Sequence, residues 1–368
     1  KTMIKKTIIL LMTISVLVSC SPQGNLEENI TPWTLLKELI LIPGVSEAEE
    51  KVADFIEASL PETLEVQRDD MNNVWFTVGE GRPHLLFLAH TDELGFIVEN
   101  ITPSGTLKVR GRGGFFPLMY EGHSIVVHTN NGPVEGIVSP RENYMQRNAQ
   151  LLEFSTELLE IYLGVSNPDE VKDLGVSVGD SITIRKEIVE LSDNLLASRA
   201  VDDRAGCAAL LAAALRIDWT KIKGKTVSFA WDVQEEIGLN GASRLAETMD
   251  VDYVFPVDTF VSSDGPFDSK RYAYIPLGSG AVVRAIDTSM IAPQIEFKKV
   301  MNIARQNNIP THLGNTRGGN DGSVFVSQGT VDIPLSWPGT YSHSFIEKIH
   351  QGDLNSLTDL ILALVKDW

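Results

Sequence analysis

The run Leu85-Leu86-Phe87-Leu88-Ala89 constrains the fold more than any other stretch, because five consecutive apolar residues leave no polar face for water. A strand of that kind belongs in the middle of a sheet covered on both sides, as in parallel α/β sheets. It ends abruptly in His90-Thr91-Asp92-Glu93-Leu94-Gly95-Phe96. Ligands of open α/β sheets collect at the carboxyl ends of strands, so His90 falls where a functional group is expected. Two more apolar runs, Thr226–Trp231 and Tyr253–Val257, also read as strands and also run into acid: Glu235-Glu236 after the first, Asp258 after the second. Ahead of them, the small-residue stretch from Gly206 to Leu215 reads as a helix, and Asp202-Asp203 stand at its start. Acids there either cap the helix or reach a ligand from an element boundary.

The rest of the chain fits an α/β architecture with an insertion. Trp33–Leu41 is an amphipathic helix closed by Pro43-Gly44, and Ser46 is placed to cap a second helix running to about Leu60. Val74–Val78 is a strand. Between about Asn100 and Asn194 the texture shifts to short β-rich segments punctuated by Gly105, Gly113-Gly114, Asn130-Asn131-Gly132, Gly136 and Gly179-Asp180. This predicts a small β-barrel-like domain, residues 100–194, inserted into a catalytic domain made of residues 21–99 and 195–368. Within the insert, Leu151–Leu163 is predicted helical. A helix over Pro293–Gln306, a loop from Gly314 to Gly322 and a terminal amphipathic helix from about Leu354 to Trp368 complete the pattern. With 43% hydrophobic residues in 368, the chain can bury a large core.

Lys5-Lys6 precede an apolar run from Ile8 to Val18 that stops at Ser19-Cys20-Ser21, which predicts a secretory signal over residues 1–20. Its Leu17-Val18-Ser19-Cys20 ending resembles a bacterial lipoprotein lipobox. The resemblance implies acylation of Cys20 and a lipid anchor holding the chain to an extracytoplasmic membrane surface of the cell envelope. After that cleavage Cys207 is the one free cysteine, in a small-residue helix where it reads as a buried apolar group. Acidic residues outnumber basic ones 49 to 31, a formal charge of −18, which repels phosphate backbones and excludes nucleic acid as a partner.

Five side chains at strand or helix ends are candidates to converge: His90, Asp202, Glu236, Asp258 and His343. Two divalent cations can each take one imidazole, one terminal carboxylate and a share of a bridging carboxylate. Such a pair activates water and polarises a carbonyl, so the chemistry expected is hydrolysis. Asp92, two residues past His90, suits the acceptor that orients the imidazole. The remaining histidines, His84, His123, His128, His312 and His350, read as surface or satisfied core residues. Glycoside hydrolysis by Glu235 and Glu236 is excluded, because adjacent residues cannot flank one glycosidic bond at the required separation.

His90 to Phe96, Val201-Asp202-Asp203-Arg204-Ala205-Gly206, Val233-Gln234-Glu235-Glu236-Ile237-Gly238 and Tyr341-Ser342-His343-Ser344 resemble the glutamyl and tetrahedral aminopeptidases, family forty-two of the metallopeptidases. Gly113-Gly114, Leu174 to Asp180 and Gly318-Gly319-Asn320-Asp321 extend the likeness from about Thr31 to the C-terminus. The resemblance implies a mixed-sheet zinc-aminopeptidase catalytic domain, phosphorylase/hydrolase-like, with an inserted small β-barrel used in homo-oligomeric assembly. It implies two divalent ions per chain, zinc or else cobalt or manganese. His90, Asp202 and Asp258 would hold one, and Asp202, Glu236 and His343 the other. It assigns Glu235 as the general base, a cis peptide at Asp202-Asp203, and peptides with a free N-terminus as substrates. Thr340 and Asn320 depart from the family's usual residues, at positions expected near the substrate's first side chain. A peptide-binding lipoprotein without catalysis, and another amidase such as a deacylase or carboxypeptidase, are the alternative functions.

Overall fold

The structure, a computed structural model, describes residues 30–114, 119–140, 144–145, 159–192, 194–291 and 293–368. Thr31–Trp368 packs as one compact unit. The predicted signal segment and Cys20 lie outside the described residues.

The apolar run forms the strand His84–His90, every residue of which after His84 is buried. Thr226–Asp232 runs parallel on one side of it and Tyr253–Val261 parallel on the other. Beyond the first, Val74–Gly79 pairs antiparallel and carries the short Gln67–Arg68 at that edge. Beyond the second come Leu335–Gly339, parallel, then Ala281–Ile286, antiparallel, then Thr311–Asn315. The sheet is therefore mixed, with its parallel strands in the middle. Phe76, Phe87, Phe229 and Phe255 fill one of its faces together with helix residues from Val201–Arg216, Pro32–Leu41 and Gln351–Asp367. Leu86, Leu88, Ala230 and Val254 point to the other face and pack against Ala242 and Leu245 of Asn240–Ala246. This is the strand alternation expected of a sheet covered on both sides.

Six strands, Gly95–Ile101, Leu107–Arg112, Ser124–Thr129, Gly132–Val138, Glu160–Tyr162 and Ser181–Ile184, close into a barrel. Its interior is a separate apolar core built on Phe96, Val98, Val109, Ile125, Val127, Ile161 and Ile182. The predicted α/β class with an inserted β-barrel is the architecture observed.

Three local expectations change. Of the predicted helix Leu151–Leu163, residues 151–158 lie outside the described residues, and Glu160–Tyr162 is a barrel strand paired on both sides. Ser46 is not a cap: the second helix is Glu50–Ser59 with Glu49 before it, and the Ser46 hydroxyl donates instead to Asp92 Oδ2 at 2.5 Å. The predicted loop Gly314–Gly322 begins inside the edge strand Thr311–Asn315 and ends in the 3-10 turn Asp321–Gln328.

Candidate metal centre

Sheet register does the first part of the assembly. Asp232 pairs with His90 across one neighbour, and Val257 pairs with Ala89 across the other, so Asp258 stands level with His90. Residues level in adjacent strands share a face, and His90 and Asp258 are thereby aimed at the same space. The helix Val201–Arg216 supplies the third group. Its first turn is broken at Asp202 and Asp203, where the backbone is non-helical and the peptide between them is cis. The break divides the two acids. Asp203 Oδ1 accepts the Gly206 N–H at 3.0 Å and caps the helix, whereas Asp202 turns toward the strand ends. Gly206 is required there, because a Cβ would sit 2.1 Å from the Asp203 carboxylate.

The result is a buried group of His90, Asp202 and Asp258 whose ligand atoms all lie within 4.8 Å of one another. His90 Nε2 is 3.6 Å from Asp202 Oδ1. On the opposite side of Asp202, its Oδ2 lies 4.0 Å from His343 Nε2, and that nitrogen is 3.5 Å from Glu236 Oε2. His343 Nδ1 bonds to the Gly114 carbonyl, which can only accept, so Nδ1 carries a proton and Nε2 is the nitrogen that faces the two carboxylates. The barrel thus shapes the site directly. Gly113, at φ 84°, has no room for a Cβ, which would meet Leu94 at 2.0 Å and Glu236 Cβ at 3.1 Å.

Glu235 and Glu236 both line the same cavity, of about 970 Å³. Opposed directions are expected of neighbours in an extended strand. The strand has already ended at Asp232, and the turn that follows, with Gln234 at φ 58°, brings both side chains inward.

Two buried acids tie these pieces together. Asp92 Oδ1 lies 3.3 Å from His90 Nδ1. It also accepts the Glu235 N–H at 3.0 Å, while Oδ2 accepts the Glu236 N–H at 3.3 Å. Glu347, which sequence reasoning missed, accepts from Val201 N–H at 2.8 Å, Asp202 N–H at 3.1 Å and His343 N–H at 3.0 Å. Its one sequence signal is its place four residues past His343.

The charges are unbalanced in a way that suits cations. Burial, reinforced by the Asp202 charge, raises the Glu236 carboxyl well above its usual range. Burial, with Glu236, Asp258 and Asp92 beyond it, does the same to Glu235. Asp258 is raised by burial despite the opposing pull of Arg284. Burial also opposes ionisation of Asp202, but its contacts with His90 and the nearby His343 outweigh that and hold it low. Imidazole nitrogens and carboxylate oxygens in this proportion fit divalent ions, whose charge offsets the crowded acids.

The two departures from the family pattern do not line the cavity. Asn320 is buried and donates to Asp287 Oδ2 at 2.8 Å and Ser289 Oγ at 3.1 Å. Thr340 is buried and bridges to Lys348. Asp268, Tyr272, Arg317, Gly318, Gly319 and Tyr341 are among the residues that do line the cavity.

A family model described as M42 glutamyl aminopeptidase matches residues 72–360. The chain is 27% identical to the glutamyl aminopeptidase of Lactococcus lactis subsp. cremoris, over 84% of this chain and 88% of that one. It is 26% identical to the lysyl aminopeptidase of Pyrococcus furiosus, over 91% and 97%. Among solved structures it superposes on the TET1 peptidase of Pyrococcus horikoshii with a TM-score of 0.85 and 31% identity, covering 92% of this chain and all of that one. That peptidase is described as assembling into a tetrahedron or a large octahedral shell. Copies in a closed shell face many directions, whereas lipid on every N-terminus would tie them to one plane. The expected signal peptide, Cys20 lipid anchor and extracytoplasmic membrane location conflict with this comparison and are withdrawn. No helix among the described residues is long and apolar enough to cross a membrane.

Proposed function

The chain belongs to the M42 glutamyl aminopeptidase family, and from that premise we propose that it is a metal-dependent aminopeptidase, removing the first residue of peptides that have a free N-terminus. The observation that carries the reading is Asp202 standing between two imidazoles, with one oxygen toward His90 and the other toward His343. In this reading His90, Asp202 and Asp258 hold one divalent ion, and Asp202, Glu236 and His343 hold a second. Nitrogen and oxygen ligands of this kind suit zinc, with cobalt or manganese as substitutes. When bound, such ions would supply Lewis-acid polarisation of the scissile carbonyl and a more acidic water.

The chain's own residues do the rest. Glu235 takes the proton of the attacking water and delivers it to the departing amine nitrogen. Its burial in a cavity beside other acids raises its proton affinity, as a group that must both accept and return a proton requires. Asp92 fixes the backbone from which Glu235 projects and the ring of His90. The wall formed by Asp268, Tyr272 and Arg317 receives the first side chain. Relatives of nearly equal identity are named for glutamyl and lysyl substrates, so the preferred side chain does not follow from the likeness. The solved neighbours include a dodecamer and closed shells, and the chain is accordingly expected to form a homo-oligomer.

The test is a set of aminoacyl anilides with the amino group either free or acetylated, assayed with and without a chelator. Hydrolysis confined to free amino groups, lost to chelator and restored by zinc, cobalt or manganese, is the expected result. Cleavage of the acetylated set would move the chain to the deacylases. Light scattering on the same preparation reads the assembly.

A further inference from the structure

We infer that Arg284 is a positioning residue that restrains Asp258 and makes the two proposed metal sites unequal. The inference rests on the ligand assignment above. In donor types the two sites match: one imidazole, one terminal carboxylate and a share of Asp202. The structure breaks that symmetry at the terminal carboxylates. Asp258 Oδ2 lies 2.8 Å from Arg284 Nη2, a buried ion pair, and its Oδ1 accepts the Thr259 N–H at 2.5 Å. Glu236 forms no ion pair with a lysine or arginine among the described residues; its partner is His343.

The guanidinium is not free to serve substrate, although it reaches the cavity wall. Nε donates to Ser336 Oγ at 2.8 Å, Nη1 to the Gly319 carbonyl at 2.7 Å and Nη2 to the Thr259 carbonyl. Asp287 Oδ2 lies 3.7 Å from Nη1. A planar fork committed on all its edges holds its partner in one orientation. A cation already on Oδ2 repels a second one there, so Asp258 coordinates through a single oxygen and with weakened donor strength. The ion held by His90, Asp202 and Asp258 is therefore the weaker and more exchangeable of the two.

The experiment titrates chelator-stripped, full-length protein with cobalt(II), followed by calorimetry and visible absorption. The wild type should bind in two steps, with Asp258→Asn abolishing the weaker and Glu236→Gln the stronger. Arg284→Gln, which removes the charge but keeps a planar donor, should bring the steps at least about tenfold closer, within the range of effects seen when groups behind metal ligands are changed. It should also alter the cobalt absorption band as Asp258 becomes free to chelate. Arg284→Lys, which keeps the charge but loses the planar fork, should retain most of the wild-type separation while still altering the cobalt absorption band. An unchanged or wider gap in a folded Arg284→Gln protein overturns the inference. So does loss of the weaker step in Glu236→Gln, a result that does not depend on whether Arg284→Gln folds. A wild type that binds one ion or none sinks the two-ion reading itself, and the inference with it, before Arg284 is touched.

Discussion

Asp92 Oδ1 accepts the backbone N–H of Glu235 at 3.0 Å, joining the loop beyond one strand to the loop beyond its parallel neighbour. The same carboxylate faces the His90 ring and takes the Ser46 hydroxyl. One buried acid thus sets the imidazole and the candidate base together. Asp92→Asn keeps the shape but converts one acceptor to a donor, so a backbone N–H or the Ser46 hydroxyl must lose its partner. We expect a fall of roughly 10–100-fold in metal affinity or kcat. Metal content by elemental analysis, beside steady-state rates, checks it; an Asp92→Asn protein with wild-type values in both would remove Asp92 from the site.

Glu235 and Glu236 share a turn and a cavity but should part under substitution. Glu236 faces His343 at 3.5 Å, whereas no histidine within ion-pair distance of Glu235 is found among the described residues. Glu235→Gln should keep both ions and lose on the order of 10²–10⁴ in kcat, the usual contribution of a general base. Glu236→Gln should shed or loosen one ion and recover part of its activity in excess metal. The reverse pattern of metal loss would exchange the two roles.

How much of this was legible beforehand depends on whether a residue acts through its own element or through a distant one. The apolar run before His90 announced a central strand, and the acid-ended runs after it announced its neighbours; register then brought His90 level with Asp258. Asp202 was legible as an element boundary, though not the division of labour in which Asp203 takes the cap. Ser46 was misread because a serine shortly before a helix pattern usually caps it, and nothing local reveals a partner 46 residues away. Arg284 and Glu347 were invisible for the same reason. Each acts on groups brought near only by strand pairing, Arg284 across Ser336 and Thr259, Glu347 across 146 residues to Val201.

Glu347 gives the clearest stability prediction. It is buried, 3.4 Å from buried Arg199, and three backbone N–H groups converge on it. Glu347→Ala leaves that guanidinium with only the Ser344 and Leu94 carbonyls and removes the acceptor of those donors, and breaking a buried pair in this way typically costs about 3–5 kcal/mol. Glu347→Gln keeps an acceptor and should cost less. Urea unfolding of both variants tests this, and an alanine variant within about 1 kcal/mol of wild type would show that the network contributes little.

Asp332 gives a pH dependence away from the catalytic groups. It is 3% exposed, and neither of its oxygens makes a hydrogen bond of good geometry. Burial first, and the Asp287 charge second, push its carboxyl up to about 8, against the weaker pull of Asn320 and Arg284. An unfolded chain releases this proton near the ordinary aspartate value of about 3.9. Between those limits the folded state holds a proton that the unfolded state has lost, so stability falls as pH rises through the window and the loss is complete above the folded value. Below the unfolded value no loss remains. Asp332→Asn has no proton to release and should flatten this part of the profile. We expect the variant to gain on wild type as pH rises from about 4 to about 8, by on the order of 5 kcal/mol at about 1.4 kcal/mol for each pH unit between the two values. Paired thermal melts across that range measure the difference directly. A constant gap between the two proteins would mean that Asp332 titrates alike in both states and that burial does not hold its proton.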